Sequence, residues 1–149
     1  MSTERQFCTF HLGELFFGIE VLQVQEVIRA QAMTRVPLAP RAVRGLINLR
    51  GQIVTAIDLR ERLGLPPLEG DRAPMNVVVR TDEGAVSLLV DDIGDVLDAA
   101  EEDYEDPPGT ISPAARELIR GVYKLPGRLL LVLDTDTALS LEPTGATSR

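Results

Sequence analysis

A sixteen-residue stretch occurs twice in this chain of 149 residues, and that duplication constrains the fold more than any other feature. Moving the sequence by 76 positions sets Val43-Arg44-Gly45-Leu46-Ile47-Asn48-Leu49-Arg50-Gly51-Gln52-Ile53-Val54-Thr55-Ala56-Ile57-Asp58 on the stretch from Ile119 to Asp134 without a gap, and Leu63 on Leu139. Arg44, Gly45, Leu49, Gly51, Asp58 and Leu63 recur identically. A weaker echo places Val24-Gln25-Glu26-Val27 on Ile93-Gly94-Asp95-Val96. Each copy reads as strand, turn, strand and helix cap. Gly45 and Gly121 fall where a strand bends or another backbone comes close. Asp58 and Asp134 are placed to cap a closing helical turn. Two β units this small bury only part of their apolar faces alone, so they must pack on each other and leave a groove between them.

The remaining punctuation fits an all-β chain. Phe7–Leu12 and Leu15–Glu20 flank Gly13-Glu14 as a hairpin, and Val24–Ala30 continues as a short strand after a turn of helix at Val21–Gln23. Met75–Thr81 and Ala85–Val90 flank Asp82-Glu83-Gly84, and Ile93–Leu97 is a further strand. Asp58-x-x-Glu61 with Gly64 delimits one helix, and Ser112-Pro113 opens another over Ala114–Leu118. Glu142–Arg149 is small and polar and is expected to fray.

The net charge of −8 disfavours nucleic acid as a partner. The charge is uneven: seven Arg lie between Arg29 and Arg62, whereas Asp91–Asp106 holds nine acids and no base. Such segregation suits charged protein partners. The acidic run lacks the alternating ligands of a calcium loop. A single Cys (Cys8) and a single His (His11) leave no multi-ligand metal motif, and no cofactor is expected. Residues 1–6 carry no apolar run and no apolar segment approaches ~18 residues, so a cytoplasmic protein with no direct membrane insertion is expected. Phosphate-cradling, nucleophile-elbow and redox motifs are missing. Leu130–Thr137 has the form of a phosphatase strand ending in paired aspartates. That small-phosphatase alternative is weakened because Asp134 is already explained as a cap and little chain follows it. No enzyme is expected.

The elements Phe17-Gly18-Ile19-Glu20-Val21, Val24-Gln25-Glu26-Val27, Val43–Gly51 (R-G-x-x-N-L-R-G), Ile57-Asp58-Leu59-Arg60 and Leu89-Val90-Asp91-Asp92-Ile93 together resemble the CheW family of bacterial chemotaxis coupling proteins, from about Phe7 to Leu141. Thr55 departs from the Pro common in that family. The resemblance implies two SH3-like five-stranded β-barrels around a shared core, here one CheW-like domain over 1–149. Its subdomains are approximately 13–83 and 84–142, the latter with the N-terminal strand 6–12, and 143–149 is a flexible tail. It implies a non-catalytic adaptor that binds the regulatory domain of a CheA-type histidine kinase and the cytoplasmic hairpin tip of methyl-accepting chemoreceptors. A coupling role in a non-swimming pathway is the alternative.

A helical hairpin requires an apolar groove. Val24, Val27, Ile53, Leu89 and Val90 are expected to line it, with Glu26 at the rim and Arg50 pairing with or capping the receptor hairpin. Asn48 is expected to fix the turn at Arg50-Gly51. Kinase contact is expected at barrel ends, through Leu46 and Ile47 or Val122 and Tyr123.

Overall fold

Alternating and continuously apolar runs become eleven strands in the computed structural model, which describes residues 5–29, 31–68, 73–82 and 84–139. They are β1 (Arg5–Leu12), β2 (Leu15–Glu20), β3 (Val24–Ile28), β4 (Val43–Leu49), β5 (Gln52–Asp58), β6 (Met75–Thr81), β7 (Gly84–Val90), β8 (Asp92–Ala99), β9 (Tyr104–Glu105), β10 (Ile119–Leu125) and β11 (Arg128–Leu133). Three five-residue helices interrupt them: α1 (Leu59–Leu63), α2 (Pro113–Glu117) and α3 (Thr135–Leu139). Single 3-10 turns lie at Val21–Gln23 and Glu101–Asp103. The expected fraying segment 142–149 lies outside the described residues.

The strands form two sheets, ordered β8-β1-β2-β11-β10-β9 and β3-β6-β7-β5-β4. Each is an SH3-like β-barrel subdomain, here barrel I and barrel II. The sheets do not divide at the expected 83/84 boundary: β2 belongs to barrel I with β1, and β7 belongs to barrel II with β6. Hydrogen-bond register gives the reason. A shift of 76 carries Val43↔Ile57 and Gly45↔Ala56 onto Ile119↔Leu133 and Gly121↔Val132, bulge included. A shift of 69 carries Phe10↔Phe17 onto Val79↔Val86. Each repeat thus contributes its first hairpin to the barrel completed by the other repeat. The crossing pairs are the parallel ladders β2·β11 and β5·β7.

The two glycines of the repeat sit at these bulges. A Cβ on Gly45 would lie 2.6 Å from the Thr34 carbonyl oxygen, and one on Gly121 would lie 2.2 Å from the Tyr104 hydroxyl. Thr34 bridges Leu46, as Glu105 in β9 pairs Val122 at the same repeat position. The sixth strand of barrel I is therefore the enlarged counterpart of that single bridge.

Burial divides into three clusters. Ile47, Leu49, Val54, Ala56, Val78 and Leu89 fill barrel II, and Phe7, Phe16, Ala99, Tyr123, Leu130 and Val132 fill barrel I. The largest cluster lies between the barrels and includes Phe10, Phe17, Ile57, Leu59, Leu88, Val90, Leu118 and Leu133. The duplicated caps close it. The Asp58 amide donates to the Ala42 carbonyl and the Asp134 amide to the Leu118 carbonyl, both at 2.7 Å. The Asp58 carboxylate accepts from Arg60 N and Glu61 N, and that of Asp134 from Thr137 N. Gly64 ends α1 in the left-handed region. Arg62 then ties the helices together by donating to the Thr137 and Ala138 carbonyls of α3.

Candidate functional site

The R-G-x-x-N-L-R-G element ends in a two-residue turn with both residues left-handed, Arg50 at φ 50° and Gly51 at φ 90°. A turn of this hand matches the twist of β4 and β5. Asn48 Oδ1 accepts from Gly51 N at 2.9 Å and holds the turn shut. A non-glycine residue in the left-handed region is strained, and such strain persists where surrounding contacts impose it. Here the contact is ionic: the Arg50 guanidinium pairs with the Glu26 carboxylate of β3. The strands β3 and β4 are opposite edges of the barrel II sheet, so the pair joins them and closes the barrel at that end. Arg50 keeps most of its surface in solvent, whereas Glu26 is largely covered.

Around this pair the expected groove residues separate into two groups. Val27 is 38% exposed and Ile53 60% exposed, and Val24 is half-buried at the margin of the central cluster. These three are available to a partner. Leu89 and Val90 are 4% and 1% exposed, which corrects the expectation that they present a free surface. Both faces of β7 are covered: Leu89 points into barrel II, and Leu88 and Val90 into the cluster between the barrels. Arg50 is likewise not an unoccupied cation, since Glu26 already holds it. At the expected kinase-contacting ends, Leu46 is half-buried. Ile47, Val122 and Tyr123 are core residues: Ile47 faces the interior of barrel II, and the adjacent Val122 and Tyr123 are buried on opposite faces of β10, toward the central cluster and into barrel I.

Beneath the site runs an ionic chain that the residue pattern alone did not single out. The Arg60 guanidinium grips both oxygens of Asp91, with Nε to Oδ1 at 2.7 Å, and Asp91 Oδ2 also accepts from Gly13 N at 2.7 Å. One buried carboxylate thereby binds α1, the β1–β2 turn and the end of β7. Arg44 donates to Asp58 at 2.8 Å. These four charged side chains, with Met33, Leu89 and Val90, line a cavity of about 250 Å³. The available signal for Asp91 is an acid directly ending a continuously apolar strand, a position that demands a partner.

Burial pushes the Cys8 thiol up, away from the reactive thiolate. Burial, partly offset by Arg5, also raises the Tyr123 phenol. Among the described residues no group of His, Cys, Asp or Glu is arranged to hold a metal ion, and no helix is long and apolar enough to cross a membrane.

A family model described as the CheW-like domain matches residues 6–142. The chain belongs to the CheW-like family. The chemotaxis protein CheW of Treponema pallidum is 32% identical over 133 residues, covering 87% of this chain and 78% of that one. CheW of Bacillus subtilis is 30% identical over 142 residues, covering 95% and 91%. The crystal structure of the scaffolding protein TtCheW from Thermoanaerobacter tengcongensis superposes with a TM-score of 0.78 at 25% identity, over 87% of this chain and 88% of that one. Both barrels of the CheW-like domain fall inside the matched residues.

Proposed function

We propose that this CheW-like chain is a non-catalytic scaffold that couples methyl-accepting chemoreceptors to a CheA-type histidine kinase in chemotaxis signalling. The observation that carries this reading is the family match over 6–142, spanning both barrels. The site supports it. Exposed Val27 and Ile53 offer an apolar anchor for a receptor helical hairpin, and the Glu26–Arg50 pair gives the rim its register. The kinase regulatory domain takes a second face, at the barrel end where Leu46 is half-exposed. The protein works on the cytoplasmic side of the membrane and reaches receptor arrays through its partners. A phosphatase role gains nothing, because the Asp134 carboxylate is spent on capping α3.

The experiment is a pull-down of purified protein with a receptor hairpin-tip fragment and, separately, with the kinase regulatory domain. Val27→Arg and the charge-swapped double variant Glu26→Arg/Arg50→Glu, which keeps the ion pair, are expected to lose the receptor fragment while retaining the kinase domain and an unchanged melting curve. Undiminished receptor capture by both variants contradicts the assignment.

A further inference from the structure

The register that relates the two barrels exposes one place where they are not filled alike. In barrel II, β5, the start of β7 and α3 enclose a cleft of about 530 Å³ lined by Ile53, Thr55, Val86, Asp82, Asp136 and Leu139, among others. The same shifts that align the strands carry this lining onto Leu129, Leu131, Phe17, Gly13, Arg60 and Leu63. There the space is occupied. Phe17 and Leu12 are fully buried and Phe16 nearly so, Arg128 lies 3.7 Å over the Phe16 ring, and Leu65 lies 3.9 Å from the Cβ position of Gly13. Ala85 and Val86 stand in the cleft where barrel I has Phe16 and Phe17. Asp82 stands where barrel I has Gly13 and Asp136 where it has Arg60, so the cleft without the two rings also has acidic walls. Among the described residues neither carboxylate is paired with an arginine or lysine.

We propose that this cleft takes a basic side chain of the receptor hairpin, a lysine or arginine carried about one helical turn from the apolar residue that packs on Ile53. The inference rests on the reading that the Ile53 face binds the receptor. The exposed Ile53 and the half-buried Val86 and Leu139 give the stem of such a side chain an apolar floor, and Asp82 and Asp136 meet its charged head. A long cation fits this division of the walls, whereas an acidic or wholly apolar anchor leaves two carboxylates facing it unpaired.

The test titrates a receptor hairpin-tip fragment with wild-type protein, the double variant Asp82→Asn/Asp136→Asn, Ala85→Phe and Val27→Arg, at low ionic strength and in about 0.5 M salt. The double variant is expected to bind about tenfold more weakly at low ionic strength and to match wild type at high salt. Ala85→Phe restores the ring found in barrel I. It is expected to weaken binding at both salt concentrations while melting at the wild-type temperature. If the double variant and Ala85→Phe bind like wild type at both salt concentrations while Val27→Arg has lost the fragment, the cleft assignment is overturned and the receptor face stands. If Val27→Arg also binds like wild type, the receptor face itself is refuted and the cleft with it.

Discussion

Where barrel I buries the ring of Phe7 against Gly18, barrel II buries the amide of Asn76 against Ser87. A Cβ on Gly18 would lie 3.0 Å from Leu130 Cδ1 and 3.2 Å from Phe7 Cβ, so Leu130 and Phe7 close over bare backbone at that position. In barrel II the Ser87 hydroxyl donates to Asn76 Oδ1 at 2.7 Å, and Asn76 Nδ2 donates to the Arg29 carbonyl at 3.1 Å. The pairing around these residues nevertheless keeps the same register in both barrels. The common backbone is therefore held by ladders, bulge glycines and aspartate caps, and the interior is free to be aromatic or polar provided that it is filled and satisfied. The junctions differ in the same way. Asp91 is buried and bound by Arg60 and Gly13, whereas its repeat counterpart Leu22 is 87% exposed.

The largest asymmetry to probe is that junction. Asp91→Ala strands the Arg60 guanidinium in a largely buried place and is expected to cost about 3–5 kcal/mol in urea denaturation. Leu22→Ala is expected to stay within about 0.5 kcal/mol of wild type. Similar losses at both positions would deny that only one junction is clamped. The repeat glycines come next. Gly45→Ala drives a methyl into the Thr34 backbone and is expected to cost about 3 kcal/mol, the upper end for overpacking. Gly121→Ala meets the half-exposed Tyr104 ring, which can swing away, and is expected to cost about 1 kcal/mol, relieved in the Gly121→Ala/Tyr104→Ala double variant.

Between those two glycines in expected cost lies the polar pair of barrel II. Asn76→Val and Ser87→Ala singly leave a buried group unsatisfied and are each expected to cost about 1–3 kcal/mol, and the double variant less than their sum. Strict additivity in the denaturation cycle would show that the two side chains do not act as a unit. The least effect concerns Tyr123, whose phenol burial raises above its ordinary value of 10.0. In the unfolded chain it ionises first, so its contribution is complete below about pH 10 and fades as pH rises toward the folded value. Tyr123→Phe is expected to flatten that alkaline decline, measured as melting temperature against pH.

Much of this architecture is legible in the residues. The duplicated segment locates β4, β5, β10 and β11, Asp58 and Gly64 bound α1, and Ser112-Pro113 opens α2. The hairpin exchange is not, because alternation records which face of β2 or β7 is apolar and not which sheet the edge joins. Leu89 and Val90 mislead for a related reason: a strand covered on both faces loses the alternation that separates core from surface. Val122 and Tyr123 mislead in the same way, being adjacent and buried on opposite faces of β10, whereas Ile47 does alternate and barrel closure turns it inward. The Glu26–Arg50 pair spans opposite sheet edges, a proximity set by sheet curvature rather than by any local pattern.

Reconstituted kinase autophosphorylation tests the coupling claim most directly, with receptor, kinase and this protein mixed and each omitted in turn. Receptor control of phosphorylation is expected only when the protein is present, and Val27→Arg is expected to abolish control while still co-purifying with the kinase. Receptor control that persists without the protein, or full control by Val27→Arg, would contradict the coupling claim.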